Sequence, residues 1–232
     1  MSVLVIAGLD SSTGAGLARD LAVMADHGIA ARVAATAVTA QDPAGGCTVH
    51  PVPAAMVAAQ IRAAGPLRAA KLGMLANADI IAAIAGALPD LPFVLDPVLA
   101  TSSGLPLLDA AGRAAMIAWL IPRAALVTPN LPEAARLTGL PSGAAFSDLA
   151  EGFFAMGARA ILLKGGHADG AEAVDWLLRP DVAPLRFGAP RQPGTRRGTG
   201  CTLASAIAAR LAQGNDLATA CGQAKRYLSA WI

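Results

Sequence analysis

The sequence predicts an α/β fold in which helices cover both faces of a mostly parallel sheet. Short apolar runs alternate with segments of helical apolar spacing through most of the 232 residues, and this alternation is typical of parallel sheets. Many of the 24 glycines and 16 prolines fall in turn-like clusters, which argues against a simple helical bundle. The chain length fits one α/β domain, so we expect a single domain over residues 1–232.

A buried strand and an amphipathic helix open the chain. The apolar run Val3–Ile6 leads into Ala7-Gly8, as expected for a strand that is buried on both faces. Leu17, Leu21 and Met24 then share one helical face within 16–27, and Gly28 follows as a helix stop. A second strand is predicted over 31–38 and a third over 69–74.

Proline and glycine bound several of the later elements. Pro89 ends a helix predicted over 78–88, Pro129 ends a strand over 125–128, and Gly165-Gly166 end a strand over 160–164. The same two patterns predict a strand at 93–96, helices at 109–120, 131–138, 147–156, 199–213 and 216–229, and a hairpin formed by 174–178 and 184–187.

Composition excludes several classes of protein. The 18 basic and 16 acidic residues leave a net charge of +2, too little basic excess for a general nucleic-acid binder. No uncharged apolar run reaches the roughly 18 residues that a membrane span needs, and the first ten residues lack the basic region of a signal peptide. Cys47, Cys201 and Cys221 form no C-x-x-C motif, which argues against a disulfide framework or zinc site. We therefore expect a cytoplasmic protein that does not bind membranes.

Polar side chains follow five of the predicted strands. These residues are Asp10, Gln41, Asp96, Asn130 and Lys164. In open parallel sheets, ligands bind outside the carboxyl ends of the strands. Each residue alone could be an ordinary loop residue, but their repetition favours a ligand site at this edge of the sheet.

The strongest local motif is Gly198-Thr199-Gly200-Cys201-Thr202, which begins an apolar helix. Free backbone N–H groups and the helix dipole make such a start an anion site. Cys201 would lie in the first turn, where we expect the thiol pKa to fall. The alternative is a glycine turn that only starts a helix and packs a small cysteine.

Three other segments allow two interpretations each. The turn from Gly8 to Gly16 matches neither the dinucleotide fingerprint nor a Walker A motif, and could be only a tight strand-to-helix turn. Asn130 and Glu133 could orient a hydrated Mg²⁺ or form a capping box, and the two interpretations are compatible. Lys164 could bind a phosphate or extend to solvent from a strand end.

Taken together, the motifs resemble a known family. The chain is similar to bacterial hydroxymethylpyrimidine/phosphomethylpyrimidine kinases of thiamine biosynthesis, which belong to the ribokinase-like superfamily with its three-layer α/β/α fold. The matching segments lie in the family's order: 7–11, 14–16, 36–41, 71–75, 95–98, 128–134, 163–167 and 198–203.

The resemblance implies an ATP- and Mg²⁺-dependent kinase that phosphorylates 4-amino-5-hydroxymethyl-2-methylpyrimidine and then its monophosphate. It also implies a homodimer. The implied substrate-binding residues are Gln41, on the aminopyrimidine edge, with Asp20, Met74 and Gly8. Asp96 and Glu133 would bind Mg²⁺, partly through water. Asn130, Lys164 and Glu133 would form the ATP-binding site. The amides of Gly198, Thr199, Gly200 and Cys201 would surround the moving phosphoryl group, with the Cys201 thiolate as the base where many superfamily relatives have Asp.

The chain departs from the family pattern at three positions. Ala18 stands where the family usually has Gln, and Arg196-Arg197 stand where it usually has Thr-His. These departures leave two alternatives open: a pyridoxal or pyridoxine kinase, and a pyrimidine-binding protein of the same fold without turnover.

Overall fold

The computed structural model describes residues 1–41, 46–101, 103–165, 171–192 and 196–232. Within these ranges one sheet has the strand order β3-β2-β1-β4-β5-β6-β7-β8-β9. The strands are β1 Ser2–Asp10, β2 Ala30–Gln41, β3 Cys47–Pro51, β4 Ala69–Leu72, β5 Phe93–Leu95, β6 Leu126–Val127, β7 Ile161–Lys164, β8 Glu172–Arg179 and β9 Val182–Pro190. The pairs from β2 through β7 are parallel, whereas β3, β8 and β9 pair antiparallel with their neighbours.

Helices cover both faces of the sheet, as predicted. They are α1 Gly16–Asp26, α2 Ala54–Arg62, α3 Ala78–Ala87, α4 Ala110–Trp119, α5 Leu131–Thr138, α6 Phe146–Ala155, α7 Thr199–Ala212 and α8 Leu217–Trp231. Residues of α2 to α6 pack in one core cluster with one face of the sheet, and residues of α1, α7 and α8 pack in a second cluster with the other. The arrangement is the three-layer α/β/α fold.

Strand β1 shows how the two core clusters arise. Leu4 and Ile6 belong to the cluster with α2 to α6, while Val3 and Val5 belong to the cluster with α1, α7 and α8. Successive side chains of a strand point to opposite faces, so a continuous apolar run is needed where both faces are covered. All four side chains are fully buried.

Two elements, β3 and α2, were absent from the sequence prediction. Strand β3 lies at the sheet edge with an exposed or half-buried sequence, so it lacks the apolar run that identifies central strands. Helix α2 begins after Pro53 without a side-chain cap, and its buried face is only Val57, Ala58 and Ile61. Both elements depend on tertiary packing more than on local signals.

The described part of the chain bears on two sequence predictions, the absence of a membrane span and the absence of disulfide bonds. There, no helix has both the length and the apolarity to cross a bilayer. The thiols of Cys47, Cys201 and Cys221 are all free.

Candidate active site

A cavity opens at the carboxyl ends of β1 and β2, against the start of α7. Its wall includes Gln41 at the end of β2, Met74 after β4, Gly8 in β1 and Cys201 in the first turn of α7. The structure therefore brings together most of the predicted acceptor residues and the predicted base. Residues from four separate segments meet here because parallel strands end at the same edge of the sheet.

Two glycines allow the cavity wall to pack closely. A Cβ on Gly8 would lie 2.8 Å from the Met74 sulfur, so this glycine leaves room for the methionine in the wall. Gly16 has a φ of +58°, and a Cβ there would lie 2.3 Å from the Gly8 carbonyl oxygen. The first glycine turn thus folds back on β1, which places its backbone beside the cavity.

Asp20 is not where the resemblance implied. Its carboxylate is fully buried behind the cavity, where it accepts hydrogen bonds from Lys71 Nζ at 2.8 and 2.9 Å and from Ser205 Oγ at 2.8 Å. Lys71, to which the sequence analysis assigned no role, lines the cavity in its place. The buried aspartate needs a cation partner, and sequence spacing alone does not reveal a partner 51 positions away.

Lys71 and Asp20 form a fully buried ion pair between β4 and α1. Burial by itself lowers the pKa of Lys71, but the Asp20 carboxylate more than offsets this and holds the pKa above its ordinary value. Gly73 leaves space for the ammonium group, because a Cβ there would lie 2.6 Å from Lys71 Nζ. The pair therefore places a permanent cation in the cavity wall.

Replacing Lys71 with Met is expected to lower the free energy of unfolding by about 3–5 kcal/mol, because it leaves the Asp20 charge buried without a cation. Denaturant unfolding measures the loss. The double variant Lys71→Met/Asp20→Leu removes both charges and should recover most of the stability. A Lys71→Met variant as stable as the unmodified chain would contradict this account of the pair.

The first turn of α7 has the geometry of an anion site. Gly198 caps the helix in the left-handed conformation, with a φ of +80°, and a Cβ there would lie 2.3 Å from the Gly14 carbonyl oxygen. Thr199, Gly200 and Cys201 follow as the first helical residues, whose N–H groups have no carbonyl partner inside the helix. These amides and the helix dipole favour a negative group at this position.

Lys164 and Asp96 lie against that turn. A Cβ on Gly200 would be 3.3 Å from Lys164 Nζ and 3.4 Å from Asp96 Oδ2, so a glycine lets both groups approach the helix start. Lys164 Nζ is 2.8 Å from Asp96 Oδ1 and 3.9 Å from Glu133 Oε2. Burial by itself lowers the pKa of Lys164, but the carboxylates more than offset this and raise it, so the side chain is a fixed cation.

Asn130 and Glu133 form the capping box of α5, one of the two interpretations of this segment. Glu133 N donates to Asn130 Oδ1 and Asn130 N donates to Glu133 Oε2, each at 2.8 Å. Burial raises the pKa of Glu133 to about 7; Lys164 opposes this shift and Asp96 adds to it. A divalent cation bound nearby would stabilise the ionised form of the Glu133 carboxyl group and lower its pKa.

The oxygens present fit a magnesium ion held partly by other ligands. The hydrogen bonds of these two carboxylates within the described residues use Asp96 Oδ1 and Glu133 Oε2, so Asp96 Oδ2 and Glu133 Oε1 are the oxygens that could coordinate a metal ion. Among the described residues, no three acidic, histidine or cysteine groups cluster as a complete metal site. Two carboxylates with water and substrate phosphates are a usual environment for Mg²⁺.

The predicted decrease in the pKa of Cys201 is wrong. Burial raises the pKa of the thiol to about 11, although Lys71 opposes the shift. The Gly16 N–H also favours the thiolate and so opposes the increase in pKa. The helix start does favour a thiolate, but removal from water has the larger effect here.

Part of one predicted motif cannot be placed. Gly166 and His167, which follow Lys164 in the matching segment 163–167, lie outside the described residues.

Comparisons with known proteins add independent evidence. The family model described as phosphomethylpyrimidine kinase matches residues 10–232. The chain belongs to the phosphomethylpyrimidine kinase family. Among curated relatives, it is 38% identical to the hydroxymethylpyrimidine/phosphomethylpyrimidine kinase of Haemophilus influenzae, covering 99% of this chain and 90% of that protein. It is 41% identical to the enzyme of the same name from Rhizobium meliloti, covering 99% and 89%.

Solved structures give the same fold. The phosphomethylpyrimidine kinase of Clostridium difficile is 35% identical and superposes with a TM-score of 0.85, covering 100% of this chain and 99% of that chain. The pyridoxal kinase of Staphylococcus aureus, solved in complex with AMP-PCP and pyridoxal, is 32% identical with a TM-score of 0.87, covering 98% and 86%. The predicted family, kinase class and ribokinase-like fold are confirmed.

Proposed function

We propose that this chain transfers the γ-phosphoryl group of ATP to 4-amino-5-hydroxymethyl-2-methylpyrimidine and then to the resulting monophosphate, for thiamine biosynthesis. One observation carries the proposal. The start of α7 contributes Cys201 to the cavity that Gln41 lines, while the adjacent Gly200 lies against Lys164 and Asp96. A neutral acceptor and an anionic donor would therefore meet at one helix start.

The acceptor side is built to hold a small aromatic ring. Met74 and the backbone at Gly8 supply apolar contact, and the Gln41 side-chain amide supplies both a donor and an acceptor. An aminopyrimidine presents an exocyclic amino donor beside a ring-nitrogen acceptor, which an amide complements. Lys71 supplies positive charge in the same wall, where an alcohol oxygen would gain negative charge during attack.

The donor side is built to hold phosphates. The amides of Thr199, Gly200 and Cys201 would bind the γ-phosphoryl oxygens, with Lys164 as a fixed cation beside them. Asn130 uses its Oδ1 in the helix cap, so its NH₂ group can donate to a phosphate oxygen. Asp96 and Glu133 would hold Mg²⁺, which neutralises charge on the β- and γ-phosphates when it is bound.

The transfer step follows from these positions. The hydroxymethyl oxygen forms a bond to the γ-phosphorus as the bond to the β–γ bridging oxygen breaks, and ADP leaves. The alcohol proton passes to the Cys201 thiolate. Since the thiol pKa is about 11, only a small fraction is ionised near neutral pH, and the rate should increase with pH. In the second step the acceptor is a phosphate oxygen, which can already be ionised.

A second candidate function is phosphorylation of pyridoxal. The observation that favours it is the similarity to the Staphylococcus aureus pyridoxal kinase, with a TM-score of 0.87. Both acceptors carry a hydroxymethyl group on a six-membered nitrogen ring, so one cavity could hold either.

Product analysis separates the two candidates and tests the proposal. The protein is incubated with ATP and Mg²⁺ and with the pyrimidine alcohol, its monophosphate or pyridoxal, and phosphorylated products are measured by mass spectrometry. We expect pyrimidine mono- and diphosphate, with kcat/KM for the alcohol above that for pyridoxal. A folded protein that binds the pyrimidine without forming product would instead be the binding protein considered from the sequence.

We also propose that the chain forms a homodimer and acts in the cytoplasm. Leu9 and Val38 are paired across β1 and β2 and are 41% and 48% exposed, which leaves apolar surface near the cavity for a second copy. Light scattering coupled to gel filtration tests the dimer.

A further inference from the structure

Arg197, the residue just before the α7 cap, contacts two residues of the cavity wall, Asp10 and Gln41. Its guanidinium donates to Asp10 Oδ2 at 3.1 Å, to Ser12 Oγ at 3.1 Å and to Gln41 Oε1. Asp10 is the last residue of β1, Ser12 follows that strand and Gln41 is the last residue of β2; Asp10 and Gln41 both line the cavity. One side chain thus connects the anion site with the proposed acceptor site.

The guanidinium is anchored independently of Gln41. Asp10 is only 4% exposed, and it accepts hydrogen bonds from Ser12 Oγ at 2.8 Å and from Ser12 N at 3.1 Å. Arg197 forms an ion pair with this rigid carboxylate, although its own side chain is 40% exposed. A fixed carboxylate with two hydrogen bonds holds the arginine fork in one place.

This arrangement determines how Gln41 presents its amide. An arginine side chain has only donors, so the atom of Gln41 that faces it must be the carbonyl oxygen. The NH₂ group of Gln41 then points away from Arg197. Without such a partner, the two ends of a glutamine amide can exchange by rotation about the last side-chain torsion.

We propose that Arg197 is a positioning residue that selects a 4-aminopyrimidine over pyridoxal by fixing the orientation of the Gln41 amide. The inference rests on the proposed function, in which Gln41 binds the acceptor ring. An aminopyrimidine offers an amino donor and a ring-nitrogen acceptor in one order, which a fixed carbonyl and NH₂ group match. Pyridoxal has no exocyclic amino group, so it gains little from the fixed amide.

The test compares acceptor selectivity in two neighbouring variants. Arg197→Met removes the bonds to Gln41, whereas Arg196→Met removes an equal charge next to it. Arg196 lies 3.9 Å over the Trp231 ring and donates to the Trp231 carbonyl oxygen, on a different surface, so it is a matched control. The kinetic constants kcat and KM are measured for the pyrimidine alcohol, pyridoxal and ATP. If an acceptor reacts too slowly for kinetics, its Kd for each variant is measured by calorimetry and compared instead.

We expect Arg197→Met to lower kcat/KM for the pyrimidine alcohol about tenfold through KM, the effect of about one hydrogen bond. The values for pyridoxal, the KM for ATP and the kcat should stay within about twofold, as should all values in Arg196→Met. In a Gln41→Ala background, Arg197→Met should have no further effect on selectivity, since the two residues act as one unit.

Three results would overturn the inference. These are an equal loss for both acceptors, a loss confined to kcat, and independent effects of the Gln41 and Arg197 substitutions. The proposed function fails separately, if the unmodified chain phosphorylates neither acceptor, and the inference then falls with it.

Discussion

Asp96→Asn is expected to lower kcat about a thousandfold while leaving KM for the pyrimidine alcohol nearly unchanged. Asp96 holds Lys164 with its Oδ1 and would offer its Oδ2 to Mg²⁺ at the start of α7. The substitution removes the negative charge that holds Lys164 and Mg²⁺ in place. Both cations would stabilise the charge that develops in the transition state. Gln41 and Met74 are untouched, so acceptor binding should survive. Steady-state kinetics over a range of Mg²⁺ concentrations measures the effect.

A second aspartate, Asp90, provides a control for the loss of one carboxylate charge away from the site. Asp90 is exposed in the loop before β5, whereas Asp96 follows the same strand, so Asp90 lies toward the opposite edge of the sheet. Asp90→Asn should keep a normal kcat. An Asp96→Asn variant that retains more than about a tenth of the activity at saturating Mg²⁺ would remove Asp96 from the charge-stabilising role.

Cys201→Ala is expected to lower kcat at least about a hundredfold, the usual contribution of a positioned base. Its backbone amide remains in the anion site, so binding of ATP or AMP-PCP should stay near normal. Calorimetry for the nucleotide and steady-state kinetics for the acceptor measure the two effects. Cys221→Ala, which removes a buried thiol of α8 outside the cavity, is the control. A normal rate in Cys201→Ala would remove the thiol from the chemistry.

The pH profile gives the thiol a second, independent signature. With a thiol pKa of about 11, the ionised fraction increases about tenfold for each pH unit throughout the neutral range. The kcat of the alcohol reaction should therefore increase with a slope near one between about pH 6.5 and 9. Cys201→Asp places a carboxyl group there, whose pKa stays below that of the thiol even when burial raises it. The rate of this variant should therefore stop increasing at a lower pH than that of the unmodified chain.

The sequence predicted the elements that have strong local signals. Helix α5 was predicted over 131–138 and begins and ends there, because Asn130 and Glu133 form a capping box and Gly139 ends the helix in the left-handed conformation. The helix that starts at Thr199 is likewise predicted from the glycines at 198 and 200, and its first turn has the backbone geometry that the anion-site prediction requires. Edge strand β3 and the weakly capped α2 lack such signals, and only packing specifies them.

The positions of the charged groups around the cavity were harder to predict. Asp20 and Lys71 are 51 positions apart, and only the burial of both makes their pairing necessary. The pKa of Cys201 was predicted from its place at a helix start, yet burial decides it. The sequence shows Arg197 only as a departure from the family pattern. Its three acceptors come together because β1, which ends at Asp10, and β2, which ends at Gln41, are neighbours in the sheet.

The central claim is that the first turn of α7 holds the moving phosphoryl group while the acceptor lies beside Cys201. The most direct measurement is a crystal structure with ADP, Mg²⁺, aluminium fluoride and the pyrimidine alcohol. The account predicts the fluoride group within hydrogen-bond distance of the Thr199, Gly200 and Cys201 amides, in line between ADP and the hydroxymethyl oxygen. A fluoride group bound away from this turn, or a pyrimidine outside the cavity of Gln41, would contradict it.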